Sequence, residues 1–267
     1  MNDRLNIVLD QVREVSGYIW QKGWAERNAG NISVNVTDEC KDSIRDLSSS
    51  SYVRYEGIYP ALGDSYFFLS GTGLRIRDLA KDIPSLKRNA CILKIDSEAK
   101  GYHMVWGGEA EYFRPTSEFI SHLSIHMDLI RRNTGHKAIV HTHPQELIAL
   151  THSEKYCKSG KQITDYLWRM LPEVRAFVPK GLSLIPYALP GSKRLAELTV
   201  KALPHCNVAL WEKHGALATG PDIIEAFDFI DVANKGAIIF LKCLSAGYVP
   251  KGLSDGEIDE LVRAFKL

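Results

Sequence analysis

The sequence predicts an α/β fold in which a mixed central β-sheet is flanked by helices on both faces, a three-layer sandwich formed as a single domain over residues 1–267. Two observations predict it. Short apolar segments with strand-like patterning alternate with longer segments whose apolar residues recur every three to four positions. Some of the strands are also neighbours in sequence, separated only by a polar turn, which requires a mixed sheet rather than a purely parallel one. No internal repeat, low-complexity tract or linker divides the chain.

Leu5, Val8, Leu9, Val12, Val15 and Ile19 define a helix over residues 5–22, stopped by Gly23. The turn Asn28-Ala29-Gly30-Asn31 leads into a strand at 32–36 that alternates as if half-buried. Residues 37–65 are polar and rich in Ser and Asp, and are expected to form a surface excursion. Tyr66-Phe67-Phe68-Leu69-Ser70 is an apolar strand running into Gly71-Thr72-Gly73, and residues 91–95 and 102–106 supply two more strands. Behind Pro115, Thr116 or Ser117 can cap a helix carrying Phe119, Ile120, Leu123, Met127 and Ile130 and ending near Gly135. A strand at 138–142 follows, and Pro144 is placed to open a short helix. Strands at 182–185 and 208–211 precede a long helix from Pro221, which carries Ile224, Phe227, Ile230, Ala237 and Leu241. Ser254-Asp255-Gly256-Glu257 has capping-box spacing for a last helix through Phe265.

Lys and Arg total 33 against 32 Asp and Glu, a net charge of +1, which removes the electrostatic argument for a nucleic acid or an anionic membrane as partner. Five dispersed cysteines (Cys40, Cys91, Cys157, Cys206, Cys243) contain no Cys-x-x-Cys pair and read as reduced, individually buried thiols. Asp3, Arg4, Asp10, Arg13 and Glu14 leave no uncharged stretch for a signal peptide, and no apolar run reaches membrane-spanning length. A soluble cytoplasmic protein is the expectation.

The chemistry concentrates at His141-Thr142-His143. Alternate residues of a strand share a face, so two imidazoles at the C-terminal end of the apolar run Ala138-Ile139-Val140 can hold two metal-ligand nitrogens at fixed separation. An isolated His-x-His is more often a surface pair, but ligands of α/β sheets gather at such strand ends. His214, followed by Gly215 after the strand at 208–211, is the third candidate, and three histidines with an open position make a catalytic zinc or other divalent site. His122 and His126, four apart on a predicted helix, are expected on its half-exposed face; His103, His136, His152 and His205 are expected to be structural. Glu118 follows Thr116 and Ser117 at a helix start, where it reads equally as a carboxylate stabilised by the helix dipole or as a general acid/base beside the metal. Asn28-Ala29-Gly30-Asn31 and Ser70-Gly71-Thr72-Gly73 are small amide-exposing loops that suit phosphate oxygens, although most such loops are only turns. Neither is a Walker loop or a Gly-x-Gly-x-x-Gly fingerprint, which disfavours ATP and NAD.

In order along the chain, the segment 22–31, Ser70-Gly71-Thr72-Gly73, Pro115-Thr116-Ser117-Glu118, His141-Thr142-His143, His214-Gly215 and the helix segment 228–235 resemble the class II aldolase/adducin family. Lys22-Gly23-Trp24, Lys94-Ile95-Asp96-Ser97, the segment 101–107 and Phe229-Ile230-Asp231-Val232-Ala233-Asn234-Lys235 narrow the likeness to its ketose-1-phosphate aldolases. The resemblance implies a zinc-dependent lyase, one ion per subunit, that cleaves a ketose 1-phosphate to dihydroxyacetone phosphate and L-lactaldehyde. By the same resemblance, His141, His143 and His214 bind the metal, Glu118 is the catalytic carboxylate, and Asn28, Asn31, Thr72, Thr116 and Ser117 cradle the phosphate. It further implies a C4 homotetramer in which Glu173 reaches a neighbouring subunit's site. Thr72 stands where serine is common and Ala29 where glycine is familiar. Another sugar-phosphate enzyme of the family, a fuculose-phosphate aldolase, a ribulose-phosphate 4-epimerase or a thioribulose-phosphate dehydratase, shares these motifs. A non-catalytic module like the adducin head has no reason to keep the three histidines and Glu118 together.

Overall fold

The computed structural model describes residues 3–42, 51–57 and 59–267. The N-terminal half contains α1 (Asp3–Gln21), β1 (Asn31–Asn35), α2 (Thr37–Cys40), β2 (Tyr52–Arg54), β3 (Tyr66–Ser70), α3 (Ile76–Leu79), α4 (Ile83–Asn89), β4 (Ala90–Ile95) and β5 (Gly101–Gly107). The middle contains α5 (Phe119–Arg131), β6 (Ala138–Thr142), α6 (Gln145–Leu150), α7 (Gly160–Trp168) and α8 (Pro172–Phe177). The chain continues through β7 (Leu182–Ile185), α9 (Lys193–Ala202), β8 (Val208–Trp211), β9 (Gly215–Gly220), α10 (Ile223–Ser245) and α11 (Asp255–Phe265).

The strands form one nine-stranded sheet in the order β2-β5-β4-β3-β1-β6-β9-β8-β7. Its pairs are antiparallel except β7 with β8, which is parallel and bridged by α9, so the sheet is mixed as expected. Strand alternation assigns the layers. Ile32, Val34, Val140, Ala138, Ala216 and Ala218 pack with α1 and α10, whereas Ile139, Leu217, Ala209 and Trp211 pack with Ile125 and Leu129 of α5 and Leu195 of α9. A further cluster on the α5 side joins Phe67, Leu69, Cys91 and Leu93 to Leu123.

Several expectations need correction. The first strand begins at Asn31 and is buried on both faces, because α5 covers the side that carries Asn31 and Ser33. His122 and His126 are accordingly not on a half-exposed face: they are 0% and 1% exposed and point from α5 onto β1. The stretch 37–65 is more than surface excursion, since it contributes α2, the edge strand β2 and the buried side chains of Cys40, Tyr59 and Leu62; its residues 43–50 and 58 lie outside the described ones. The helix after Pro115 starts at Phe119 with Glu118 at its N-cap, because the Thr116 N–H donates to Ser70 O and holds the preceding residues against β3. The long helix starts at Ile223, where the Asp222 side chain accepts from Glu225 N. Cys243 is only half-buried, unlike the other four thiols. The final capping box between Ser254 and Glu257 is formed as expected.

Candidate metal centre and active site

His141, the penultimate residue of β6, faces α5 and is 2% exposed; His143 follows just beyond the strand. The backbone at this end is clamped by Trp24 O, which accepts from His143 N–H at 3.0 Å and from Thr142 Oγ1 at 2.8 Å. His214 stands in the tight turn between β8 and β9. That antiparallel hairpin, paired to β6 through β9, returns His214 to the histidine pair. The three ring centroids form a nearly equilateral triangle with sides of 5.2, 5.0 and 5.3 Å. One ligand nitrogen from each ring lies within 4.8 Å of the other two. Gly215 permits the approach: a Cβ there would lie 2.9 Å from both His141 Cε1 and His143 Cδ2.

Outer partners settle which nitrogen faces inward. His141 Nδ1 donates to Ala216 O at 3.0 Å, and His143 Nδ1 donates to Glu26 Oε1 at 2.7 Å, which leaves both Nε2 atoms as lone-pair donors toward the centre. His214 Nδ1 is a buried nitrogen with no hydrogen-bond partner among the described residues. Burial, reinforced by the adjacent imidazoles, holds His141 well below the ordinary histidine pKa and His214 down at about 4, so both are neutral at physiological pH. Two outwardly tethered imidazoles and a third with an orphaned nitrogen, converging on one point, fit a divalent cation better than any hydrogen-bonded use within the described residues.

Glu118, 4% exposed, stands where α5 begins. Its Oε1 accepts from Gly191 N at 3.0 Å and its Oε2 from Ser121 Oγ at 3.3 Å. Burial raises its pKa above the ordinary carboxylate value; Gly191, Ser121 and the proximity of His143 pull the other way. The group is thus not merely a solvated dipole partner, but a buried carboxyl within electrostatic reach of His143.

Three loops meet beside this cluster. Ser70 Oγ accepts from Ile32 N at 3.0 Å and ties the end of β3 to the start of β1. Thr72 N donates to Arg114 O at 2.9 Å, and Gly71 bridges Pro115, which ties the second loop to the third. The structure thereby gathers the segments of Asn31, Thr72, Thr116 and Ser117, with Asn28 exposed in the turn before β1. Ala29 is no obstacle to a tight first loop, because the left-handed positions there are Arg27 and Gly30. Glu173 is exposed at the start of α8, which packs on α10 and α11 rather than at the histidines. Among the described residues no hydrogen bond or ion pair links it to them.

Several contributors escaped the sequence reading. Glu26 gave no signal, being one charge in a polar turn 117 residues from its partner. Gly191 lies in a loop unmarked by any motif. His152, expected to be structural, and Lys213 line an open cleft of about 660 Å³ with Glu26, His143 and His214. A larger cleft of about 720 Å³, bordered by Glu56, Asp128, Arg131 and Lys193, includes none of the histidines or loop residues. Size does not mark the site here; converging chemistry does.

The fold and the three-histidine cluster, which could hold a metal ion, suit an aldolase of the second class. A family model for the class II aldolase and adducin N-terminal domain matches residues 10–241, and the chain belongs to that family. A rhamnulose-1-phosphate aldolase of Bacteroides thetaiotaomicron is 45% identical over 260 residues, 97% of this chain and 94% of that protein. One from Mannheimia succiniciproducens is 32% identical over 92% of this chain and 90% of its own length. Among solved structures, a sugar-phosphate aldolase from Thermotoga maritima superposes with a TM-score of 0.79 at 32% identity, covering 93% of this chain and all (100%) of that one. An L-fuculose 1-phosphate aldolase with a TM-score of 0.61 and 18% identity shares the fold.

Proposed function

We propose that this chain is a zinc-dependent aldehyde-lyase, one ion per subunit, that cleaves L-rhamnulose 1-phosphate to dihydroxyacetone phosphate and L-lactaldehyde. The observation that carries the reading is the histidine triangle beside buried Glu118, at the meeting point of three anion-suited loops. The choice of sugar is supported by the relatives named rhamnulose-1-phosphate aldolase.

His141, His143 and His214 would hold the cation, which when bound supplies Lewis acidity to the substrate oxygens beside the reacting carbons. Asn28, Asn31, Thr72, Thr116 and Ser117 bind the phosphate, whose interaction energy places the carbon chain without taking part in the chemistry. As the C3–C4 bond breaks, its electron pair remains with C3, the C4 hydroxyl gives up its proton to water, and C4 becomes the aldehyde carbon. Glu118 delivers a proton to C3, and in the synthetic direction removes it. Burial raises its pKa above the ordinary carboxylate value, the direction that favours holding that proton. Glu173 acts at a neighbouring subunit's site in a C4 homotetramer. Free thiols, four of them buried, suit a reducing cytoplasm.

The test is condensation of dihydroxyacetone phosphate with L-lactaldehyde by the zinc-loaded protein, followed by stereochemical analysis of the product. L-Rhamnulose 1-phosphate is expected. A product of opposite C4 configuration reassigns the sugar, and absence of any aldol product removes the reaction.

A further inference from the structure

A chain of buried polar groups runs from α5 to the phosphate loop, and neither the metal centre nor Glu118 uses it. Ser33 Oγ lies 2.6 Å from His122 Nδ1 and 2.8 Å from His126 Nε2, and His122 Nε2 lies 2.6 Å from Asn31 Oδ1. Ser33 and His122 are 0% exposed, His126 1% and Asn31 6%. The chain is ordered in one direction. At 2.6 Å from a carbonyl oxygen, His122 Nε2 must carry the hydrogen. Burial pushes His122 down to about 3, so the ring is neutral and its Nδ1 can only accept. Ser33 therefore donates to His122 Nδ1, and its oxygen accepts from His126 Nε2–H. His126, packed 4.6 Å from the Phe67 ring, closes the far end.

We propose that Ser33 and His126 fix the tautomer of His122, and that His122 thereby fixes the orientation of the Asn31 amide, so that its NH2 group faces the phosphate. This rests on the reading of Asn31 as a phosphate ligand. Asn31 pairs with His141 across the β1–β6 ladder, so its side chain stands beside the candidate metal ligand and on the same face. With the carbonyl committed to His122, the two amide N–H donors are the end left for an anion. In the other tautomer His122 Nε2 would accept, the amide would turn over, and a carbonyl oxygen would face the phosphate. His122 is a positioning residue, acting through Asn31. Three polar side chains buried against one another are costly to retain for packing alone, since apolar groups of similar shape serve as well or better.

The test measures the Kd for dihydroxyacetone phosphate by calorimetry on the zinc-loaded protein, with melting temperature and metal content as folding controls. Ser33→Ala frees the His122 tautomer with little change of shape and is expected to raise Kd about 10- to 100-fold, the range for one hydrogen bond to a charged group. His122→Leu should do the same. His122→Gln, whose amide can donate to Asn31, should recover most of the affinity. In an Asn31→Ala background, Ser33→Ala should add nothing, because both act through one amide. An unchanged Kd in Ser33→Ala, or effects that multiply fully with Asn31→Ala, overturns the inference. If His122→Leu fails to fold, Ser33→Ala and the double variant still decide it. A wild-type protein that binds dihydroxyacetone phosphate but forms no aldol overturns the proposed reaction, and the positioning test stays readable.

Discussion

Glu26 Oε1 accepts a hydrogen bond from His143 Nδ1 at 2.7 Å, across 117 residues of sequence. The carboxylate orients the ring, presents its Nε2 to His141 and His214, and increases its basicity. Although Glu26 is 67% exposed, it has a geometric role that a surface ion pair lacks. Glu26→Ala is expected to weaken divalent-metal affinity by about 10- to 100-fold, as loss of an outer partner of a ligating histidine typically does. Competition against a chelator of known affinity measures it, and an unchanged constant would show that the ring needs no such support.

Removing a ligand should be more severe. His143→Ala is expected to lose metal and aldolase activity together; full zinc occupancy in that variant refutes the assignment. Gly215→Ala removes no ligand, yet its methyl would sit 2.6 Å from Thr142 O and 2.9 Å from two imidazole carbons. It should lower stability by about 1–3 kcal/mol through overpacking and weaken the metal site with it. Denaturant titration and metal analysis check both parts.

Glu118→Gln keeps the shape of the buried group and its bond from Gly191, but cannot carry the proton. Hydrogen–deuterium exchange at C3 of dihydroxyacetone phosphate should fall by about 10²- to 10⁴-fold, with metal largely retained. Exchange at the wild-type rate would remove Glu118 from the acid/base role.

Glu173 is exposed within its own chain, and its proposed role is at a neighbouring subunit's site. Glu173→Ala and Glu118→Gln should each be inactive, and mixing them under subunit exchange should restore partial activity, because ring interfaces pair different faces of adjacent subunits. A nearly fully active Glu173→Ala protein makes the residue a solvated acid. Inactivity without complementation, despite proven exchange, places it in its own subunit's site.

Burial keeps His122 and His126 neutral, with native pKa values below the unfolded value near 6.5. Their contribution to stability is fully present above pH 6.5. It is lost as pH falls, because the unfolded chain binds protons that the native state does not, and for His122 the loss continues toward about pH 3. Each such histidine contributes a slope of about 1.4 kcal/mol per pH unit well below the unfolded pKa. His122→Gln should therefore show a shallower decline of unfolding free energy between about pH 6 and 4, measured by urea titration; an identical slope would mean that the imidazole titrates freely.

The sequence by itself determined the three-layer class, most strand positions and the five separated motifs, because apolar periodicity and residue type are local properties. Strands at 182–185 and 208–211 match their observed bounds for that reason. It also singled out His141 and His143, since side-chain alternation along one strand is a local fact, and Glu118 by its place at a helix start. β9 was not legible: Gly-Ala-Leu-Ala-Thr-Gly has little strand propensity, and pairing with β6 and β8 makes it a strand. The helices between residues 160 and 202 were not anticipated, although Ser159 and Ser192 cap two of them. Only the tertiary structure decided that Ser33, which reads as the solvent side of a half-buried strand, faces α5 and joins His122, His126 and Asn31. The same holds for Glu26 behind His143 and Gly191 on Glu118. These partners lie 73 to 117 residues apart, and a hydrogen bond between distant segments leaves no period or spacing in either. It exists because the sheet brings β1 beside β6 and α5 covers the face they share.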